Sequence, residues 1–198
     1  YRRDVIGFIS SIKLLDRPDI DKNAFTFINL LISSIPIILI GYLISKTSLY
    51  DYENIILVIG ITSIIFGIIL FLVDSFCLRV KSLNSLNYFN ALIIGFFQCL
   101  ALVPGVSRSG AILTIMRFFG YQRRFAVFYS NLLSIPVIIG ATALLTYNSF
   151  INFELNIVFG MYGISILVLS FIFLLIFIYF FVAWVRKFSL SFFAFYRL

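Results

Sequence analysis

Five stretches without a charged side chain, 23–45, 54–73, 82–107, 125–153 and 155–185, partition the 198-residue chain. Each reaches the roughly 20 residues that an apolar α-helix needs to cross a bilayer. Composition agrees, with 62% apolar residues and a mean hydropathy of +1.11, against roughly 45–50% apolar in soluble domains. A water-soluble globular fold is excluded. Lipid satisfies no backbone N–H or C=O, so the spans are expected to be helices, and the fold class is an all-α polytopic integral membrane protein. No short period, low-complexity tract or long charge block breaks the chain, which predicts a single membrane domain over 1–198.

The net charge of +7 comes from 15 basic and 8 acidic residues. In a soluble protein it would suggest nucleic acid; here the basic residues lie between apolar windows, where they orient the chain, and no nucleic-acid partner is expected. Cys77 and Cys99 cannot build a disulfide framework and read as packing residues. Tyr1-Arg2-Arg3-Asp4 has no initiator Met or signal segment, and Phe195-Tyr196-Arg197-Leu198 stops as an apolar stretch opens, so the chain is expected to be a fragment.

The distribution of Lys and Arg bears on topology. If 82–116 returns to the side from which it enters, segments 1–22, 74–81, 117–124 and 186–187 share one face with twelve basic residues, and only Lys46 lies opposite. The positive-inside rule then favours a re-entrant helix-loop-helix hairpin around residues 88–116, or a pair of crossings, over one ordinary span. Pro104-Gly105 supplies the break. Other spans are expected at about 24–45, 54–73, 125–147 and 156–183, with a last one opening near 188. Ser34-Ile35-Pro36 and Ser134-Ile135-Pro136, each followed by an apolar run and a glycine (Gly41, Gly140), are either an internal repeat or a coincidence of apolar sequence.

Arg108 is the charge out of place, in Pro104-Gly105-Val106-Ser107-Arg108-Ser109-Gly110 between two apolar runs. An arginine at the centre of a span costs roughly 2.5–3.5 kcal/mol on insertion scales, which makes it a functional candidate. Pro104 and Gly105 end one helix, Ser107 or Ser109 can cap the next, and Gly110 allows a ligand close to that helix's free N–H groups. Such a helix start with a guanidinium is suited to an anion, phosphate above all. The competing reading is a guanidinium that snorkels to headgroups, with Gly and Ser serving helix packing. Gln98 is read either as a hydrogen-bonding partner of the ligand or of Arg108, or as an interhelical bond. Arg117, Arg123 and Arg124 are read as orienting charges. The absence of His removes histidine-nucleophile phosphatases and Ser-His-Asp hydrolases. The eight acids, Asp4, Asp16, Asp19, Asp21, Asp51, Glu53, Asp74 and Glu154, are read as lying outside the apolar cores, which leaves no embedded base.

The run from Gly95 to Ala111, Gly-Phe-Phe-Gln-Cys-Leu-Ala-Leu-Val-Pro-Gly-Val-Ser-Arg-Ser-Gly-Ala, resembles the second signature of the undecaprenyl-diphosphate phosphatases of the bacitracin-resistance type. The similarity continues through Tyr129-Ser130-Asn131-Leu132-Leu133-Ser134-Ile135-Pro136, Gly140-Ala141-Thr142-Ala143 and Phe195-Tyr196-Arg197. The resemblance implies hydrolysis of undecaprenyl diphosphate to undecaprenyl phosphate and phosphate, which recycles the cell-wall lipid carrier and confers bacitracin resistance, in the bacterial inner membrane. It implies catalytic roles for Arg108 and Ser107 and substrate contacts from Ser109, Gly105, Gly110 and Gln98. It also implies a divalent cation, Mg or Ca, whose glutamate ligands belong to an N-terminal signature that would precede Tyr1; no metal ligand is assigned in this chain, and the fragment alone is expected to be inactive. Where the family has Thr after Ser-Arg-Ser-Gly-Ala, this chain has Ile112, with Thr114 two positions on. The expected partners are the polyprenyl diphosphate and the membrane, with a homo-oligomer left open. An inactive split-gene remnant and a lipid-carrier flippase or transporter are the two alternative functions.

Overall fold

The computed structural model describes residues 22–46, 54–78, 80–151 and 161–187. Among them run six α-helices: α1 (Lys22–Ser45), α2 (Ile55–Phe76), α3 (Tyr88–Gln98), α4 (Arg108–Phe118), α5 (Arg123–Ile151) and α6 (Met161–Lys187). Short 3-10 turns cover Leu83–Ser85 and Cys99–Leu102. Apolar segments within α1, α2, α5 and α6 are long enough to cross a membrane. Expected spans at 24–45, 54–73, 125–147 and 156–183 match these helices, apart from 156–160, which lies outside the described residues. So do the span expected near 188, Phe195-Tyr196-Arg197, all the acids except Asp74, and the segments 1–21 and 152–154.

Helices α3 and α4 have 11 residues each, about 16 Å at about 1.5 Å per residue, far short of a bilayer core of about 30 Å. They form a hairpin whose two ends are tied at one face. Val80 and Lys81 donate backbone N–H bonds to Gly120 O at 3.0 and 2.9 Å, and Gln122 N–H returns one to Lys81 O at 3.1 Å. The chain therefore enters and leaves the hairpin on the same side, as the basic residues require. Asn87 starts α3 by accepting a bond from the Asn90 N–H. Gly120, at φ +86°, makes the turn after α4.

The hairpin lies between two full spans, each parallel to the arm it touches. Along α1 and α3, the Phe25 and Tyr88 rings meet at 5.2 Å and the Ser33 hydroxyl donates to Ala91 O at 2.7 Å. Gly95 is needed at this crossing, because a Cβ there would meet the Ser33 carbonyl oxygen at 2.5 Å. Along α2 and α4, Thr62 touches Pro104 at one end and Asp74 touches Arg117 at the other. These twelve residues of α2 correspond to about 18 Å of depth.

Start of α5 closes this core. The Tyr129 hydroxyl is within hydrogen-bond reach of Ser33 Oγ (2.7 Å) and Asn29 O (3.0 Å). Pro36 and Pro136 both sit inside helices. Two residues earlier, Ser34 bonds back to Leu30 O at 2.6 Å and Ser134 to Asn131 O at 2.5 Å, a local arrangement common to the two Ser-Ile-Pro segments. One compact unit runs to Val137 and a second begins at Ile138. In the second, α6 presents an aliphatic and aromatic surface, with none of the apolar window buried.

Candidate anion-binding loop

Pro104–Ser107 forms the tip of the hairpin, and glycine is required there on two grounds. Gly105 has φ +90°, and a Cβ on it would collide with Thr62 Oγ1 and lie 2.6 Å from Ile59 O. Backbone without regular structure is tolerated at this depth only when its polar groups find partners. Thr62 Oγ1 lies 2.7 Å from Pro104 O and Ser63 Oγ donates to Gly105 O at 3.1 Å.

Beyond the tip, Ser107 is the N-cap of α4. Its backbone is extended (φ −72°, ψ 128°), and its Oγ accepts the Gly110 N–H at 3.2 Å and lies 3.0 Å from Ser109 Oγ. The first helical bond, Ala111 N–H to Ser107 O, is 2.8 Å. N–H groups of Arg108 and Ser109 come before this bond and have no backbone acceptor among the described residues. Of the two serines expected as caps, Ser107 makes the bond and Ser109 flanks it.

Arg108 is the first residue of α4 and is half-buried. Its guanidinium makes no hydrogen bond or ion pair with any described residue. With two free N–H groups and two hydroxyls beside it, five guanidinium donors are available to an anion. Gly105 and Gly110 belong to the same loop, Gly105 as the turn and Gly110 as the capped position. The Gly110 carbonyl accepts the Thr114 hydroxyl at 2.8 Å, so Thr114 serves its own helix and not the loop. Ile112 is fully buried.

Gln98, the last residue of α3, is also fully buried, and neither Oε1 nor Nε2 has a partner among the described residues. Among the described residues, neither Arg108 nor a neighbouring helix takes up its amide. An unpaired buried amide is costly, and positions like this are where a ligand or water is expected.

Two readings from sequence are corrected. Asp74 does not lie outside the apolar core: it is fully buried near the end of α2. Arg117 and Arg123 do more than orient the chain. Arg117, fully buried, donates from Nε to Asp74 Oδ1 at 2.8 Å and from its terminal nitrogens to the carbonyls of Leu78 (3.0 Å), Tyr121 (2.6 Å), Cys77 (3.1 Å) and Asp74 (3.4 Å). Arg123 binds both oxygens of the same carboxylate, with a closest approach of 2.6 Å. The physical reason is pairing: a carboxylate near a helix end is stable in a dry interior when two guanidinium groups neutralise it. The signal available in sequence was the lone acid of an apolar span together with an arginine at the end of the second of the two short helices that follow it. Arg124 is exposed and stacks 4.7 Å from the Phe125 ring centroid, as an orienting surface charge can.

The divalent cation that the resemblance implies has no ligand set among the described residues, where no three His, Cys, Asp or Glu side chains come together. Asp74, the one described acid, is occupied by two arginines and lies about 18 Å of helix from the loop. The described residues do not fit a metal.

Comparison with known families decides what this loop belongs to. The bacitracin resistance protein BacA family matches across residues 1–198. The chain belongs to the BacA family. Among relatives of this BacA-family chain, an undecaprenyl-diphosphatase of Pelagibacter ubique is 41% identical over 100% of the chain and 72% of its own length. One from Bifidobacterium longum (strain DJO10A) is 34% identical over 86% of the chain and 58% of the relative. One from Alcanivorax borkumensis is 34% identical over 85% and 63%. The BacA-family chain thus spans somewhat under three quarters of the first relative and about three fifths of the others.

Proposed function

We propose that the whole protein is an undecaprenyl-diphosphatase, which cleaves the phosphoanhydride bond of undecaprenyl diphosphate with water to give undecaprenyl phosphate and phosphate. The observation that carries the reading is an arginine with no partner among the described residues, at the start of a short helix between two apolar spans, in a chain whose relatives bear that name. Phosphoryl transfer is largely a matter of positioning the diphosphate and neutralising the charge that develops on it. In this reading Arg108 clamps two diphosphate oxygens, the N–H groups of Arg108 and Ser109 and the Ser109 hydroxyl hold others, and Ser107 both caps the helix and contacts the reacting phosphoryl group. Gln98 turns its unpaired amide to the substrate or to a water that the substrate orders. The polyprenyl tail would lie in lipid, and the cell location would be the bacterial inner membrane, where the enzyme recycles the cell-wall lipid carrier and bacitracin resistance follows.

The loop lies about 10 Å of helix from the start of α2 and about 18 Å from Asp74. A headgroup would therefore approach from the Lys46 side, opposite the basic face. The test is phosphate release from undecaprenyl diphosphate by the chain joined to the part of the Pelagibacter ubique relative that the match leaves uncovered, normalised to folded protein. Arg108→Ala is expected to abolish turnover and Arg108→Lys to recover little of it, because a point charge does not replace a fork on two oxygens. Near-normal turnover with Lys would return Arg108 to a snorkelling anchor.

A further inference from the structure

Two hydroxyls interrupt an otherwise aliphatic span. Between Ile55 and Val73, Thr62 and Ser63 are the only residues other than aliphatic, phenylalanine and glycine, and they sit where α2 meets the hairpin tip. Among the described residues, neither the Pro104 nor the Gly105 carbonyl accepts a backbone N–H. Their only partners among the described residues are Thr62 Oγ1, at 2.7 Å, and Ser63 Oγ, at 3.1 Å. The Thr62 proton could instead serve Val58 O, also at 2.7 Å. That carbonyl already receives a helical N–H, whereas Pro104 O has no other partner among the described residues, so the loop bond is favoured.

The geometry has a consequence for the diphosphate. A trans peptide points its C=O and N–H in opposite directions, so holding Pro104 O against α2 turns the Gly105 N–H away from it. Holding Gly105 O fixes the next peptide, whose Val106 N–H closes on Val103 O at 3.2 Å. Ser107 and Arg108 follow immediately. At the far end of the same two helices, Asp74 and Arg117 prevent α4 from sliding along α2.

We infer that Thr62 and Ser63 are positioning residues for the diphosphate: their hydroxyls, from the neighbouring helix α2, set the orientation in which Arg108 and the start of α4 meet the anion. This rests on the reading of Arg108 as the diphosphate clamp, and the variants are chosen to separate the two.

The chain is reconstituted in lipid nanodiscs and the dissociation constant of radiolabelled undecaprenyl diphosphate is measured. Thr62→Val keeps the side chain's shape and removes its donor; Thr62→Ser keeps the donor and removes the methyl group. The combination of Thr62→Val with Ser63→Ala should weaken binding about tenfold, the effect of two modest hydrogen bonds. Thr62→Ser should bind within about twofold of the unaltered chain, a difference smaller than one such bond. Ser63→Ala alone, the gentler change, should weaken binding by a smaller factor and serves where the double variant does not fold. Unchanged binding in folded Ser63→Ala and double variants, with Arg108→Ala weakened, would overturn the positioning role alone. Loss of affinity in Thr62→Ser equal to that in Thr62→Val would also overturn it, since packing of the methyl group would then explain the effect. Unchanged binding in Arg108→Ala would overturn the diphosphate reading and the positioning role with it.

Discussion

Replacing Arg117 by Met should be among the most damaging single changes in the described core, and the structure says why. Arg117 is fully buried and donates to the Asp74 carboxylate and to four carbonyl oxygens, three of which, on Cys77, Leu78 and Tyr121, lie outside the helices. Methionine fills much of the same volume and satisfies none of them. Removing one partner of a buried ion pair costs about 3–5 kcal/mol, and the stranded carbonyls place this case toward the upper end. Arg123→Met should cost less, about 1–2 kcal/mol, because Asp74 keeps Arg117 and loses only the partner whose side chain is 18% exposed. Asp74→Asn should fall between them at about 2–3 kcal/mol, since Arg117 keeps its carbonyl bonds and Arg123 can turn to water. Unfolding by SDS in dodecylmaltoside micelles, followed by circular dichroism, gives the three values on one scale. A cost for Arg123→Met equal to that for Arg117→Met, or an Arg117→Met variant within about 1 kcal/mol of the unaltered chain, would refute the argument that Arg117 ties the hairpin base to the end of α2.

Gly105→Ala should destabilise the chain by at least about 2 kcal/mol, from its positive φ and the collision with Thr62 and Ile59. Gly60→Ala, with nothing within 4 Å of the added Cβ, should be neutral or stabilise by up to about 1 kcal/mol in the same titration. Single cysteines at Lys81 and Arg124 should react with an impermeant maleimide from one side of sealed vesicles and a cysteine at Lys46 from the other; labelling of all three from the same side would contradict the topology. The chain by itself, supplied with Mg or Ca, should bind undecaprenyl diphosphate without releasing phosphate, and release by the purified chain would show that a carboxylate outside the described residues completes the site.

Much of the architecture follows from one-dimensional information because the bilayer imposes a one-dimensional constraint. A run of uncharged apolar residues of the required length has few stable states other than a spanning helix, so 24–45 and 125–147 could be read directly. The return of 82–116 to its own side was also legible, since Arg117, Arg123 and Arg124 would otherwise lie with Lys46. Ser107 as a cap and Arg108 as an exceptional charge followed from local chemistry alone: the cap forms within three residues, and the cost of an embedded arginine depends on depth.

Only the tertiary structure decided what each polar group meets. Asp74 stands two residues from a helix end, where water and a buried partner are both available; its burial depends on α4 bringing Arg117 alongside. Thr62 and Ser63 look like two tolerable hydroxyls in an apolar helix until the hairpin tip sets two bare carbonyls against them. Gln98 could have bonded to Arg108 or across helices and does neither among the described residues. Hydropathy and charge count report the free energy of moving a residue from water to lipid, a property of that residue. Whether a polar group is satisfied inside the membrane depends on a second residue, distant in the chain, and that pairing exists only once the helices have packed.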